Sequence, residues 1–200
     1  MKRAYFIICL VLTCIISKAQ NFSAEAWHEG YLVTSEGDTL RGLIKYDMET
    51  NIVQLIVQNV VKTYSSYKIY YFEIYDSIMG NFRQFYSIPY EVTTDYELPI
   101  IFEVLYEGPL SLLSREAIVQ ENVTSTSAYW GGSYVQNTVR YFYYFLDKSG
   151  NIRLYNRKKS ELLAIMSRHQ SEVKSFVKSN KLRLDDPRDL IRITAFFNSL

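Results

Sequence analysis

Between residues 30 and 156, the chain contains several stretches in which apolar and polar residues alternate. In residues 100–107, for example, Phe102, Val104 and Tyr106 alternate with acidic residues. Because successive side chains of a β-strand point to opposite faces of a sheet, this pattern predicts strands with one buried face and one solvated face. Similar or β-branched runs predict further strands at residues 52–60, 69–75, 82–88, 110–115, 140–146 and 152–156.

The first two strands form a predicted β-hairpin over residues 31–46, with its turn around Gly37. In the second arm, Ile44 and Tyr46 share the face that we expect to be buried. Gly42 lies in the middle of that arm, which indicates either a bulge or the close approach of a neighbouring backbone.

Helical spacing replaces the alternation after Arg157. Residues 159–168 and 172–178 carry apolar side chains three or four positions apart. Asp186 followed by Pro187 is typical of a helix start, with an N-cap and then a proline at the first helical position. Strands followed by helices predict an α+β fold. We expect an antiparallel β-sheet of about seven to nine strands, as a curled sheet or a partial barrel, followed by two or three C-terminal helices packed on it.

Residues 1–19 have the features of a signal peptide. A basic start precedes twelve largely apolar residues at 5–16, a stretch too short to span a bilayer. Ser17 and Ala19 place small residues at positions −3 and −1 of a cleavage site. We therefore expect export to the periplasm or the extracellular space, with association with the cell envelope as one option. The mature chain would begin at Gln20 and would not span a membrane.

The composition limits the kinds of chemistry that the mature chain could perform. Both cysteines, Cys9 and Cys14, lie in the signal peptide, which leaves neither disulfides nor thiolate chemistry. The residues before Cys14 match a lipoprotein signal poorly, so soluble export is favoured over lipidation. Loss of residues 1–19 leaves 19 of the 22 basic residues against 21 acidic ones, and this balance indicates no nucleic-acid partner.

The chain thus divides into three parts: the signal peptide at 1–19, an antiparallel β-rich domain at 20–156 and C-terminal helices at 157–200. Within the β-rich domain, residues 117–138 are rich in Ser, Thr, Asn and Gly, and we expect a long, mobile hairpin loop there.

The candidate ligand-binding residues are the aromatic ones in this loop, Tyr129, Trp130 and Tyr134. Exposed aromatic rings could stack on sugars. The alternative is that these rings fold back over the sheet as part of the core, which is the commoner place for aromatic side chains.

Few residues of the mature chain could support catalysis or bind a metal. A surface or capping role suits the two histidines, His28 and His169, better than metal ligation. Glu103 and Glu107 lie four residues apart on one strand, at about 13 Å, which is too far for a glycoside-hydrolase pair and is better explained by a solvated face. With no phosphate-binding or calcium-binding loop, we expect no catalytic residues, no metal and no cofactor.

Short motifs along the chain resemble a family of uncharacterised secreted proteins from Gram-negative bacteria. The opening hairpin reads GYLVT at 30–34 and GDTLRGLI at 37–44, which looks like that family's first hairpin behind a signal peptide. The later segments EVLYEGPLSL at 103–112, YYFLDKSG at 143–150 and FFN at 196–198 are similar to its later strands and closing helix. The resemblance implies export and a self-contained fold, and it implies no activity.

Three functions stay open from the sequence. The first is a non-catalytic envelope or periplasmic protein that binds or scaffolds a partner, either an envelope protein or a glycan. The second is a glycan-binding module that uses Tyr129, Trp130 and Tyr134. The third is a carboxylate-based hydrolase, which has the least support because no suitable pair of acids is apparent.

Overall fold

The structure is a computed structural model that describes residues 22–94, 96–124 and 132–200. The predicted signal peptide at 1–19 therefore lies outside the described residues. Within these residues, three single-turn 3-10 helices lie at Ser23–Glu25, Ser66–Lys68 and Ser167–His169. The strands are β1 His28–Thr34, β2 Thr39–Asp47, β3 Ile52–Val57, β4 Val60–Ser65, β5 Ile69–Asp76, β6 Asn81–Thr93, β7 Tyr96–Tyr106, β8 Leu110–Thr124, β9 Ser133–Asp147 and β10 Ile152–Tyr155. The helices are α1 Lys159–Ile165, α2 Gln170–Ser179 and α3 Pro187–Asn198.

The ten described strands form one antiparallel sheet in the order β10-β9-β8-β7-β6-β5-β1-β2-β3-β4. The sheet is open, with β10 and β4 at its edges. The predicted α+β class is confirmed, with ten strands in place of seven to nine. The strand that was not predicted is β4, because the predicted strand at 52–60 ends at Val57, where Gln58 and Asn59 follow with positive φ angles of 49° and 63°. Two consecutive residues of this kind make a tight hairpin turn, which separates β3 from β4.

The predicted loop at residues 117–138 is largely wrong. Strand β8 continues to Thr124 and β9 begins at Ser133, with unbroken pairing from Ala117 opposite Arg140 to Thr124 opposite Ser133. Because polar residues occupy both faces of these strands, the sequence of this segment resembles that of a loop. Here they form a two-stranded arm that extends beyond the rest of the sheet, where neither face has to be apolar.

The predicted end of a strand at Pro89 is also wrong, because β6 runs on to Thr93. Pro89 lies directly opposite Pro99 of β7. Two prolines cannot exchange backbone hydrogen bonds, so this must be a non-hydrogen-bonded pair in which each nitrogen points away from the partner strand. Pairing of β5 with β6 stops at Tyr86, so Pro89 deprives no third strand of a donor.

The two large apolar core clusters lie on one face of the sheet, which we call the inner face. Directly opposed residues of neighbouring strands share a face, so the register identifies an inner-face row across eight strands. All its members except the half-buried first one are buried. The row consists of Leu40, Leu32, Phe72, Phe85, Glu103, Ser114, Tyr143 and Tyr155.

The sheet curls strongly around this inner face. Tyr46 of β2 donates a hydrogen bond to Glu116 of β8, although four other strands separate β2 from β8 in the sheet. Gly30 and Gly42 face each other on adjacent strands beside this curl. A Cβ atom on Gly42 would lie 2.0 Å from the Ile56 carbonyl oxygen, which confirms the predicted close approach of a neighbouring backbone. Glycine positions of this kind allow sheets to bend.

The C-terminal helices cover the half of the inner face formed by β8, β9 and β10. The predicted start of α3 is confirmed, because the Asp186 carboxylate accepts from the Arg188 N–H at 2.9 Å and Pro187 occupies the first helical position. At the other end of α3, the Asn198 amide exchanges two hydrogen bonds with the Leu110 backbone, at 2.8 and 3.0 Å.

Among the described residues, no helix combines the length and hydropathy needed to cross a bilayer.

We expect Gly42→Ala to lower the free energy of unfolding by about 3 kcal/mol, because the new methyl group would force β2 away from β3. The melting temperature should fall by roughly 6–12 °C, measured by circular dichroism. The control is Gly132→Ala, where a Cβ atom would meet no neighbour among the described residues within 4 Å. Equal stability of the two variants would contradict this account of the sheet's curvature.

Candidate functional site

A buried arginine on β6 organises the inner face. Arg83 is 4% exposed, and each of its five N–H groups has an acceptor. Nε and Nη2 donate to the two oxygens of Glu103 at 2.7 and 2.8 Å. Nη2 also donates to Glu116 at 3.2 Å, while Nη1 donates to Tyr46 Oη at 2.7 Å and to Asp76 at 3.0 Å. We call these five residues the Arg83 network.

The network joins strands that are far apart in sequence. Tyr46 lies on β2, Asp76 on β5, Glu103 on β7 and Glu116 on β8, so one guanidinium on β6 connects four other strands. The curl of the sheet makes this possible, because a flat sheet would hold Tyr46 and Glu116 far apart. The Tyr46 hydroxyl accepts from Arg83 and donates to Glu116 at 2.5 Å, which closes the network.

Burial and charge both determine the protonation of the network. Burial raises the pKa of Tyr46 far above its ordinary value, although the nearby Arg83 opposes this shift, so the phenol keeps its proton. Burial alone would lower the pKa of Arg83, but the paired Glu103 carboxylate outweighs it and the pKa is raised. Arg83 is therefore a permanent cation surrounded by three carboxylates.

His28 lies beside this network and is buried, so the predicted surface role is wrong. Its Nε2 atom is 2.8 Å from the Ser23 carbonyl oxygen, which requires the proton of the neutral ring to be on Nε2. The Nδ1 atom has no hydrogen-bond partner among the described residues and faces Asp76 Oδ1 at 3.9 Å. In the neutral ring, the lone pair of the unprotonated Nδ1 atom therefore faces the carboxylate of Asp76.

A groove of about 550 Å³ opens above the network, between the β2–β3 hairpin and the β8–β9 arm. Tyr46 and Glu116 form part of its floor. Its rim carries Glu25, Asp47 and Glu49, against one basic side chain, Lys45. We call this feature the acidic groove. Its apolar walls are formed by Met48, Ile52, Ile118 and Val139.

A second arginine fixes the wall of the acidic groove. Arg115 donates to Asn51 Oδ1 at 2.9 Å, to the Ile101 carbonyl at 2.6 Å and to the Met48 carbonyl. These bonds tie the base of the β8–β9 arm to the turn between β2 and β3. Burial lowers the pKa of Arg115, which remains a cation at neutral pH because the ordinary pKa of arginine is so high.

The opposite, outer face of β1, β5 and β6 carries a group of aromatic side chains. The Tyr71 and Tyr86 rings stack with centroids 5.2 Å apart, and Tyr75 and Phe82 form an edge-to-face pair at 5.1 Å. Arg41 lies over the Tyr31 ring at 5.4 Å. We call this surface the aromatic face and define it as Tyr31, Tyr70, Tyr71, Tyr75, Phe82 and Tyr86.

The structure separates the site residues predicted from the sequence. Tyr134 is 54% exposed on β9, whereas Tyr129 and Trp130 lie outside the described residues. Glu107 is exposed as expected, but Glu103 is buried in the Arg83 network, so its predicted solvated face is wrong. An irregularity in the pairing of β7 with β8, between Val104 and Tyr106, places the two glutamates in different environments.

Sequence reasoning missed Arg83, Asp76 and Glu116 as site residues. One signal was present, since Arg83 is two positions from Phe85 and therefore shares its buried face. Its partners could not be identified in this way, because they lie on strands that only the curl of the sheet brings together.

The fold and the site define an open-sheet α+β protein with a saturated buried charge network. Among the described residues, no group of three or more His, Cys, Asp or Glu side chains could hold a metal ion. Comparison of the chain with protein-family models, with curated proteins and with solved structures finds no match.

We expect Arg83→Met to lower the free energy of unfolding by about 3–5 kcal/mol, because it leaves three buried carboxylates without their cation. Chemical denaturation at neutral pH measures this change. The matched control is Arg140→Met, which removes an exposed ion pair with Glu121 and should cost less than about 1 kcal/mol. Similar values for the two variants would show that the network contributes little.

The stability should also depend on Asp76 at acid pH. Burial would raise the pKa of Asp76, but hydrogen bonds that include those from the Met79 N–H and Arg83 outweigh it and hold the pKa below its ordinary value. A lowered pKa contributes stability that is present above the ordinary value and is lost as the pH falls from about 4 through the folded-state value. Asp76→Asn should flatten this loss in denaturation curves measured between about pH 5 and 2. The control Asp38→Asn, at an exposed residue of the turn between β1 and β2, should retain it.

Proposed function

We propose that this chain is an exported, non-catalytic protein of the cell envelope that binds a partner through its aromatic face. The observation that carries the proposal is the exposure of large rings on regular strands. Phe82 is 70% exposed and Tyr70 is 59% exposed, on a sheet whose inner face is already filled by the core. Contiguous exposed apolar surface of this kind marks interaction sites in soluble proteins.

The chemistry of the aromatic face suits recognition. Tyrosine offers a large contact area together with a hydroxyl group for hydrogen bonding, and it is enriched in protein interfaces. The rings project from paired strands and contact one another, so little conformational entropy is lost on binding. Between the two ring pairs, Gln84 donates to Glu73 at 2.7 Å, which adds a polar group to the middle of the surface.

The non-catalytic part of the proposal is supported by the saturation of the Arg83 network. Glu103 and Glu116 both accept from Nη2 of Arg83, so a guanidinium fills the space between these two carboxylates. A glycosidase pair needs its acids on opposite sides of a substrate bond. This arrangement therefore favours a binding protein over the carboxylate-based hydrolase.

A glycan-binding module is the second candidate. It is favoured by Tyr134, whose exposed ring near the end of the β8–β9 arm is free to stack on a sugar. This candidate predicts that the protein binds a glycan and that Tyr134→Ala and Trp130→Ala weaken this binding. Phe82→Ser should leave the binding unchanged, which would distinguish this site from the aromatic face.

The proposal can be tested with the double variant Tyr70→Ser/Phe82→Ser in cross-linking of the protein with envelope fractions. We expect the wild type to capture a defined partner and the variant to lose at least about 90% of it, because central aromatic residues dominate binding energy. The matched control is Val60→Ser/Val61→Ser, which removes another apolar pair, more than half exposed, from the edge strand β4. Steady turnover of a substrate by the purified protein would overturn the proposal, as would equal capture by all three proteins or retention of the chain in the cytoplasm.

A further inference from the structure

Positive charge is concentrated in the C-terminal helices. Residues 157–200 carry ten basic and five acidic residues, whereas residues 20–156 carry nine basic and sixteen acidic ones. Three of the ten bases are arginines that form ion pairs with neighbouring aspartates. Six others are exposed and form no ion pair with any described residue. We call these six the basic helix surface: Lys158, Lys159, Arg168, Lys174, Lys178 and Lys181.

The lysines of α2 are directed away from the core. Val173 is buried, and Phe176 and Val177 pack against the same core cluster beneath the helices. Lys174 and Lys178 are exposed and lie four positions apart, so they share the solvent side of the helix. Two like charges at this spacing repel each other and destabilise the helix.

Other lysines of the basic helix surface also occupy positions that the local structure disfavours. Lys158 and Lys159 stand at the start of α1, where positive charge opposes the helix dipole and Lys158 provides no capping hydrogen bond. Lys181 follows α2 with a φ angle of 52°, in a turn closed by the bond from the Leu182 N–H to the Val177 carbonyl at 3.0 Å. Glycine is the usual residue at this position. The chain thus carries these charges at a cost to its own stability, as strained functional residues do.

The chemistry of the basic helix surface suits a broad anionic layer better than a folded protein. No large apolar side chain is exposed among the described residues 157–199. Protein interfaces have an apolar core and are depleted in lysine. Lysine is a flexible point charge, which suits negative charge that is spread over a surface. Anionic lipid headgroups present such charge, and each nearby Lys or Arg adds about fivefold to membrane affinity.

We propose that the basic helix surface docks the protein on an anionic lipid bilayer, with its ammonium groups against the phosphate headgroups. The β-rich domain carries the excess of negative charge, so the bilayer repels it and the helix side turns toward the lipid. This surface is separate from the aromatic face, because the helices cover the inner face of β8, β9 and β10. Docking therefore leaves the aromatic face open to its own partner.

The test is co-sedimentation of the purified protein with phosphatidylcholine vesicles that contain either no phosphatidylglycerol or about 30% of it. We expect binding only to the anionic vesicles, with loss of binding as sodium chloride is raised from about 0.05 M to 0.5 M. Lys174→Gln/Lys178→Gln should weaken this binding about twentyfold. Glutamine is as good a helix former as lysine, so α2 should remain folded.

The matched control is Lys62→Gln/Lys68→Gln, which removes the same charge from two exposed residues on and after β4. It should weaken vesicle binding less than about threefold, because these residues are remote from the helices. Equal weakening by the α2 pair and this control would overturn the proposal, since it would indicate attraction to the overall charge alone.

Lys181→Gly separates binding from folding. Glycine accommodates the positive φ angle, so the melting temperature should not fall, whereas vesicle binding should weaken about fivefold. Absence of binding to the anionic vesicles by the wild type would overturn the proposal. Retention of the protein on heparin–agarose in that case would assign the surface to an anionic polysaccharide instead.

Discussion

The buried guanidinium of Arg83 is the interaction on which the rest of this structure depends. It lies on a central strand and satisfies all five of its donors with groups from four other strands. A buried cation requires such complete pairing, since any unpaired donor would keep a large desolvation penalty. The sheet must therefore curl until Tyr46 and Glu116 meet. Buried ionic groups can specify one arrangement among several of similar apolar content, and we interpret Arg83 in this way.

The curl then determines which parts of each face of the sheet are covered and which are exposed. On the inner face, one half encloses its own apolar side chains around Phe72 and Phe85, and the other half is covered by the C-terminal helices. The outer face is left with the tyrosines of β1, β5 and β6. The β2–β3 hairpin and the β8–β9 arm leave the acidic groove between them, beside the network. The proposed partner surface and the acidic groove thus follow from one bend in the sheet.

The aromatic face and the acidic groove differ in their physical basis. The aromatic face offers apolar area and hydroxyl groups on a rigid surface, so its affinity would arise mainly from desolvation and should be weakly sensitive to salt. In the acidic groove, by contrast, the oxygens of Glu116 at the floor already accept from Tyr46 and Arg83.

The sequence by itself determined that a run of strands precedes the helices, that α3 starts at Asp186, and that Gly42 marks either a bulge or a close backbone approach. These features depend on alternation, capping and the absence of a side chain, which act over a few residues. Only the tertiary structure decided that Glu103 is buried, that residues 117–124 and 133–138 of the predicted loop are strands, and that His28 is enclosed. A charged residue in an alternating strand has the same local pattern whether its face meets water or a guanidinium from another strand. The burial of Glu103 depends on Arg83. The other partners of Arg83 include Tyr46, which is 37 residues away in the chain, and Glu116, which is 33 residues away.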